Sequence, residues 1–145
     1  MDEVDRKILE VLQRNARTTY KEIAQQVRIS DVAVHKRIRR LEGVVRSFTV
    51  LLDQKAYGKE ITAILAVRCE TGSTGVVAKE MAELEDVTEV YTTVGEYDVI
   101  SKVRTRDMKS LKELVEKGLS RIKGINEVRT SIVFECYKEK VNLVL

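Results

Sequence analysis

The stretch TTYKEIAQQVRISDVAVHKRIRRLE, residues 18–42, contains the local signals that specify how the N-terminal part of this chain folds. Thr19 and Glu22 have capping-box spacing, in which a hydroxyl and a carboxylate each satisfy a free backbone N–H group at the start of a helix. Ser30 can cap a second helix through its hydroxyl. Only the short turn RIS separates the two helices, so the spacing predicts a helix-turn-helix.

An earlier helix completes this unit. Asp2 is placed to cap it, and apolar residues recur at helical spacing between residues 4 and 12. Three short helices are enough to form a small core while one helix protrudes. We therefore predict a three-helix, winged-helix-like DNA-binding domain over residues 1–43.

The protruding helix is amphipathic. Val34, Ile38 and Leu41 form one apolar stripe, while HKRIRR, residues 35–40, adds four cations and the only histidine of the chain. In a helix-turn-helix the last helix lies in the major groove, with its first residues at base edges. An alternative is a basic face that is only solvated, or a module that binds protein. The predicted DNA-binding residues are Ser30 at the helix start, Asp31, Val32, His35 and Lys36 at base edges, and Arg39, Arg40 and Arg46 at phosphates.

Charge is concentrated in the same region. Residues 1–46 hold 11 Lys and Arg against 7 Asp and Glu, a net +4, whereas residues 47–145 hold 15 against 16, a net −1. No apolar run is long enough to cross a bilayer, and the acidic start MDEVDRK does not resemble a signal peptide, so we expect a cytoplasmic protein. Cys69 and Cys136 lack metal-ligand spacing, so we expect no metal and no disulfide, and we interpret both as small buried residues.

The remaining chain predicts an α+β domain. VVRSFTVLL, residues 44–52, is interpreted as a hinge strand, and residues 44–58 as the hinge and linker before a domain over residues 59–145. The predicted order β-α-β-β-α-β is the ferredoxin-like arrangement, one antiparallel sheet with both helices on one face. The predicted elements are strands 61–70, 87–94, 98–104 and 125–137 and helices 74–85 and 107–123, with Gly124 at positive φ after the second helix.

Apolar residues on both sides of some strands indicate that the other sheet face also needs a cover. Ile64, Ala66, Ile100, Val133 and Tyr137 carry this pattern. The simplest cover is a second copy of the chain. A homodimer would also have the two-fold symmetry of a palindromic DNA operator.

The loop TVGEYDV, residues 93–99, has two interpretations. Backbone N–H groups beside Gly95 can hold a carboxylate and Asp98 can hold an ammonium group, and an amino acid carries both. Glu96 and Tyr97 complete this candidate site. On spacing alone, a plain hairpin explains the loop as well.

Four segments together resemble one family. ARTTYKEIAQQVRISDVAVHKRIRRLE, RSFTVLLD, VTEVYTTVGEYDVI and GINEVRTSIVFECYKE, in this order, resemble the Lrp/AsnC (feast/famine) family of transcriptional regulators over nearly the whole chain. The resemblance implies a helix-turn-helix joined by a hinge strand to a ferredoxin-like sensing domain. It also implies dimers formed through the sheet, often assembled as octamers.

The resemblance also implies a site for a small-molecule effector, expected to be an amino acid, in a pocket between dimers. Gly95, Tyr97 and Asp98 match the Gly-x-Tyr-Asp element that lines this pocket in relatives, and Glu96 lies within it. By the same resemblance, Thr130 and Ser131 of the last strand contribute polar contacts. No cofactor is implied beyond the effector.

Two features depart from the family pattern. Arg28 stands in the turn where relatives usually have glycine, which predicts either strain or a changed turn, because a non-glycine residue at positive φ is uncommon. The junction EGVV after Leu41 is about two residues shorter than usual. Two alternatives to an effector-responsive regulator stay open: a sirohaem-decarboxylase-like enzyme of the same architecture, disfavoured because the C-terminal part has no histidine, and an effector-independent DNA-binding or architectural protein. We predict no enzymatic activity.

Overall fold

The structure, a computed structural model, describes residues 1–140. The chain divides into two compact units, one built on Met1–Leu51 and the other on Leu52–Tyr137. The division falls within the segment predicted as hinge and linker. The two units are described separately below.

The N-terminal unit contains the three predicted helices. Asp2 and Asp5 form a capping box at the first helix, and Thr19 and Glu22 form one at the second. The Ser30 hydroxyl accepts the backbone N–H of Ala33, 3.2 Å away, at the third. The helices are α1 (Glu3–Arg14), α2 (Tyr20–Val27) and α3 (Asp31–Arg40), which a 3-10 turn (Leu41–Gly43) extends.

The turn between α2 and α3 keeps the geometry for which glycine is usual. Arg28 ends α2 in the left-handed conformation, with φ 58° and ψ 47°, and its backbone N–H donates to the carbonyl of Ala24. The predicted strain is therefore present without a change of turn. An L-residue in this region costs about 1 kcal/mol relative to glycine.

A small core joins the three helices. Ile8 of α1, Ile23 and Ala24 of α2 and Val34 of α3 are buried together. Val34 belongs to the predicted apolar stripe of the third helix, while Leu41 is buried beyond its end. Because each helix contributes to one core, α3 is fixed while its other side stays exposed.

The hinge strand predicted over residues 44–52 is wrong for the single chain. Residues 44–52 form no strand, and within residues 1–140 no segment pairs with them. A strand needs hydrogen bonds to a neighbouring strand, and an apolar run alone does not supply them. Phe48, Val50 and Leu51 of this segment are exposed.

The C-terminal unit has the predicted order of strands and helices, so the α+β class is confirmed. Its strands form one antiparallel sheet in the order β2-β3-β1-β4. The central strand β1 pairs with β3 on one side and with β4 on the other. The elements are β1 (Ile61–Cys69), α4 (Thr74–Ala82), β2 (Val87–Thr92), β3 (Val99–Thr105), α5 (Met108–Glu113), a π turn (Leu114–Gly118), a 3-10 turn (Leu119–Arg121) and β4 (Ile125–Ile132).

The core of this unit lies between the helices and one face of the sheet. Alternate residues of β1 and β3 are buried on this face, as the period of a strand requires. The helices cover them with Val77, Met81, Leu111 and Leu119. Gly124 follows the last helical turn with φ 92°, as predicted.

Three details of the second unit differ from prediction. The helix predicted over 107–123 is a regular α-helix only to Glu113, and Met108 at its start is 51% exposed. The last strand ends at Ile132, five residues before the predicted end. Cys136 therefore lies outside the sheet and is exposed, whereas Cys69 is buried, and both are free thiols.

Candidate nucleic-acid interface and ligand site

The residues predicted to bind DNA are all exposed in the N-terminal unit. Seven of the eight lie on α3 or at its first turn, and Arg46 follows shortly after. On the same helix Val34 is fully buried, whereas Val32 is 63% exposed. The exposed residues are Ser30, Asp31, Val32, His35, Lys36, Arg39, Arg40 and Arg46.

His35 has a neighbour that the sequence did not reveal. The rings of His35 and Tyr20, the first residue of α2, lie 5.4 Å apart at an interplanar angle of 58°. Both side chains are exposed. The contact restricts the imidazole on the surface that α3 presents.

Two arginines of α3 are held by carboxylates of α1. Arg37 Nη1 lies 2.6 Å from Asp2 Oδ2 and 2.7 Å from Asp5 Oδ1. Arg40 Nη2 lies 2.9 Å from Asp5 Oδ1 and 2.7 Å from Asp5 Oδ2. Arg40, predicted as a phosphate ligand, therefore already has a partner within the protein.

The charges of this cluster stabilise one another. The backbone N–H of Asp2, together with Arg37 and Arg40, lowers the pKa of the Asp5 carboxyl to about 2, although burial acts in the opposite direction. The hydrogen bond from Arg37 likewise lowers the pKa of Asp2. Both aspartates are therefore ionised at neutral pH. Part of the positive charge of HKRIRR is balanced within the protein by Asp2 and Asp5. Lys36, Arg39 and Arg46 are therefore the stronger candidates for DNA contacts.

We expect Arg39→Ala to weaken binding to all DNA sequences by a similar factor. A side chain that contacts phosphate carries no base preference, and its loss should lower the slope of log affinity against log salt by about 1. Gel-shift titrations over several salt concentrations measure this slope. Arg106→Ala, which removes the same charge from an exposed position in the C-terminal unit, is the control. An unchanged slope for Arg39→Ala would contradict its assignment to phosphate.

The predicted ligand loop is a hairpin tied to the neighbouring strand. Asp98 Oδ2 accepts the backbone N–H of Cys69 at 2.7 Å, and the backbone N–H of Asp98 donates to the carbonyl of Val67 at 2.9 Å. Across the loop, the Thr93 hydroxyl donates to the carbonyl of Tyr97 at 2.6 Å. Asp98 is thus an anchor of the loop, and one of its oxygens is already occupied.

Charged side chains surround Tyr97 in this loop. The guanidinium carbons of Arg68 and Arg129 lie 5.3 Å and 5.8 Å from its ring centre, a distance suited to cation–π attraction. Arg68 also pairs with Glu96 at 3.6 Å and with Glu127 at 3.4 Å. The hydroxyl of Tyr97 is buried and finds no partner within the described residues.

Thr130 and Ser131, both predicted at the same ligand site, lie on opposite faces of the sheet. Thr130 pairs with the buried Leu65 of β1, on the helix side, whereas Ser131 pairs with Ile64, on the other side. Adjacent strand residues alternate between faces, so both cannot line one pocket of a single chain. The structure brings Gly95, Glu96, Tyr97 and Asp98 together in the hairpin and places Thr130 elsewhere.

Thr130 lines an apolar groove at the edge strand β4. The groove has a volume of about 280 Å³ and lies between this strand and the helix that begins at Met108. Lys112 and Glu116 stand at its rim with their charged atoms 3.8 Å apart. The sequence did not reveal the groove, because it depends on the packing of α5 against β4. Its lining residues are Met108, Leu111, Lys112, Val115, Glu116, Thr130 and Ile132.

The sheet face away from the helices is apolar only at its centre. Ile64, Ala66 and Ile100 are half-buried there. Charged pairs flank them, including Lys102 with Glu89 and Arg68 with Glu127. The predicted apolar face is therefore a small patch within a charged border, and Tyr137, predicted to extend it, lies beyond the last strand.

A helix-turn-helix with an exposed basic helix, followed by a ferredoxin-like unit, is typical of DNA-binding proteins that carry a second domain. The comparisons with known proteins agree. Residues 1–42 match the AsnC-type helix-turn-helix domain, and residues 62–143 match the Lrp/AsnC ligand binding domain. The chain belongs to the Lrp/AsnC family and is a DNA-binding transcriptional regulator.

Similar proteins span the whole chain. The HTH-type transcriptional regulator FL11 of Pyrococcus horikoshii is 32% identical over 145 residues, which cover 99% of this chain and 95% of that protein. The solved structure of AsnC from E. coli has a TM-score of 0.92 at 26% identity and covers 98% of this chain and 97% of its own. A transcriptional regulator of Neisseria meningitidis, solved as an L-Met complex, has a TM-score of 0.93 at 26% identity, with 99% and 96% covered.

Within the described part of the chain, no helix has the length and apolarity needed to cross a membrane. The same residues contain no cluster of three or more His, Cys, Asp or Glu side chains able to hold a metal ion.

Proposed function

We propose that this regulator binds an amino acid and that the ligand changes its assembly or its affinity for a palindromic DNA site. The observation that carries the proposal is the groove of Thr130, which combines an apolar floor with one cation and one anion at its rim. A ligand shifts an equilibrium between assemblies only when it binds one better than the other. The groove is open on a single chain, so a second dimer that closes it would provide that difference.

The chemistry of the groove favours an amino acid with an apolar side chain. Met108, Val115 and Ile132 offer apolar surface, Lys112 can attract a carboxylate and Glu116 an ammonium group. The relative solved as an L-Met complex supports a ligand of this kind. L-Met and L-Leu are therefore the first ligands to test.

We further propose a homodimer formed through the sheet face that the helices leave uncovered. The half-buried Ile64, Ala66 and Ile100 supply an apolar centre, and the surrounding ion pairs supply charges that a second copy can match. A dimer presents two copies of α3, and two-fold symmetry suits a palindromic operator. The octamer that the family resemblance implies would bring such dimers together.

The groove makes a prediction about ligand binding. We expect L-Met or L-Leu to raise the melting temperature, since a ligand at 100 times its Kd stabilises the folded state by about 2.7 kcal/mol. Thr130→Val keeps the shape but removes a hydroxyl, and should weaken binding about fivefold, the value of one neutral hydrogen bond. Thermal-shift titrations measure both effects.

Two variants serve as comparisons. Ser131→Ala removes a hydroxyl from the opposite sheet face and should leave ligand binding unchanged. Asp98→Asn keeps an acceptor for the N–H of Cys69 but removes the charge, and should also bind ligand normally. If Asp98→Asn abolishes binding while Thr130→Val does not, the ligand lies at the Gly95–Asp98 hairpin instead.

The protein is proposed to act without catalysis. The enzyme alternative, a sirohaem-decarboxylase-like activity, needs imidazole and basic side chains around a tetrapyrrole. His35 is the only histidine of the chain, and it lies exposed on α3. Absorbance titration of the purified protein with a tetrapyrrole tests the alternative, and no spectral change is expected.

A further inference from the structure

Asp5 is a fully buried carboxylate in the first turn of α1. This helix is separated along the chain from α3, the helix predicted to contact DNA. Asp5 accepts four hydrogen bonds, and only one, from the backbone N–H of Asp2 at 2.9 Å, belongs to α1. The other three come from Arg37 and Arg40 of α3. A helix cap alone does not require them.

The two arginines are bound differently. Arg37 uses Nη1 for both Asp2 and Asp5, and its side chain is only 26% exposed. Arg40 uses Nη2 alone, and its side chain is 61% exposed. An arginine has five N–H donors in a rigid plane. The Nε and Nη1 groups of Arg40 make no hydrogen bond within residues 1–140, so they stay available for another partner.

We propose that Asp5 is a positioning residue for DNA binding, which holds one edge of the Arg40 guanidinium so that the other edge faces a DNA phosphate. A mobile arginine loses rotamer freedom when it binds phosphate, and an arginine already fixed loses less. The planar fork suits this double role, because one edge can bind a carboxylate while the other binds an oxyanion. Asp5 therefore acts on DNA through Arg40 and does not touch it.

Simple electrostatics and the positioning role predict opposite changes in DNA affinity when the Asp5 charge is removed. Asp5→Asn removes one negative charge, and a protein with a more positive net charge should bind a polyanion more tightly. If Asp5 positions Arg40, the same substitution should weaken binding. The direction of the change therefore separates the two explanations.

The experiment measures affinity for one operator-sized duplex across a range of salt concentrations. We expect Asp5→Asn to bind about tenfold more weakly, the size of one charge-assisted hydrogen bond, and to have a salt slope lower by about 1. Glu3→Gln removes an equal charge from the same helical turn, where, among residues 1–140, the carboxylate pairs only with Lys7 at 3.7 Å. It should bind as tightly as the wild type or slightly more tightly.

Two arginine variants complete the test. Arg40→Lys keeps the charge, but a lysine ammonium group lacks the second N–H edge of a guanidinium. The slope of log affinity against log salt should therefore fall as for Asp5→Asn. Arg37→Gln removes a buried contact but leaves the Arg40 pair, so it should lower the melting temperature without a change of slope. The double variant Asp5→Asn with Arg40→Lys should be no weaker than either single variant, since both break the same contact.

Specific outcomes would overturn the proposal. Equal or tighter binding by a folded Asp5→Asn would show that the carboxylate is only structural. If circular dichroism shows that Asp5→Asn does not fold, the test rests on Arg40→Lys. A wild-type salt dependence of affinity in Arg40→Lys would reject the role of Arg40 at phosphate.

Discussion

Gly124→Ala is expected to destabilise the C-terminal unit by about 3 kcal/mol. Gly124 has φ 92°, where an L-residue costs about 1 kcal/mol. A Cβ atom there would also lie 2.6 Å from Cβ of Ser73, which precedes α4 and cannot rotate away. Such overpacking adds about 1 to 3 kcal/mol. The helix α4 or the turn must therefore move, and the bond from the N–H of Glu70 to the carbonyl of Gly124 is weakened.

Gly72→Ala is the matched control for this prediction. Gly72 has a similar φ of 83°, but a Cβ atom there meets nothing within 4 Å. Gly72→Ala should lower the free energy of unfolding by about 1 kcal/mol, because only the cost of positive φ applies there. Urea unfolding of both variants at one protein concentration measures the difference. An equal loss of unfolding free energy in the two variants would show that the contact with Ser73 is relieved without an energetic cost.

Local signals in the sequence were the most reliable. The caps at Asp2, Thr19 and Ser30 were predicted correctly because a cap depends on residues within one helical turn. The positive φ of Gly124 was predicted for the same reason. The closeness of Ser73 to Gly124 was not, because fifty residues of chain separate them and only packing brings them together.

Contacts between distant residues explain most of what the sequence did not reveal. Arg40 was predicted as a phosphate ligand from its helix face, but its bond to Asp5 spans 35 residues. The exposed residues of α3 were predicted well, since helical period alone decides which side faces the core. Sequence thus predicted which side of α3 is exposed but not the charges that are balanced on that side.

The candidate ligand site shows a similar limit. Resemblance placed Thr130 and Ser131 at one site, yet strand alternation separates them, and the register with β1 decides which side each takes. The predicted strand over 44–52 illustrates the complementary error. Its apolar residues favour a strand, but the described chain offers it no pairing partner, so a second copy would have to provide one.

Val34→Ala is expected to abolish DNA binding by unfolding the N-terminal unit while the C-terminal unit stays folded. Val34 is fully buried with Ile8, Ile23 and Ala24. Loss of two buried carbon atoms, with the cavity they leave, costs about 2 to 3 kcal/mol. The N-terminal unit has little stability to spare, because small units bury a lower fraction of their surface on folding. Hydrogen exchange should show lost protection in α1, α2 and α3 and unchanged protection in β1 and β3.

Val32→Ala separates folding from recognition on the same helix. Val32 lies two residues before Val34 but is 63% exposed, so its truncation should change stability by less than about 0.5 kcal/mol. An exposed valine at the start of α3 can contact a thymine methyl group, and its loss should alter base preference at one position of the binding site. Selection of sites from random DNA measures that preference. Normal hydrogen exchange in Val34→Ala, or unfolding in Val32→Ala, would contradict the orientation of α3, on which the DNA contacts predicted for its residues depend.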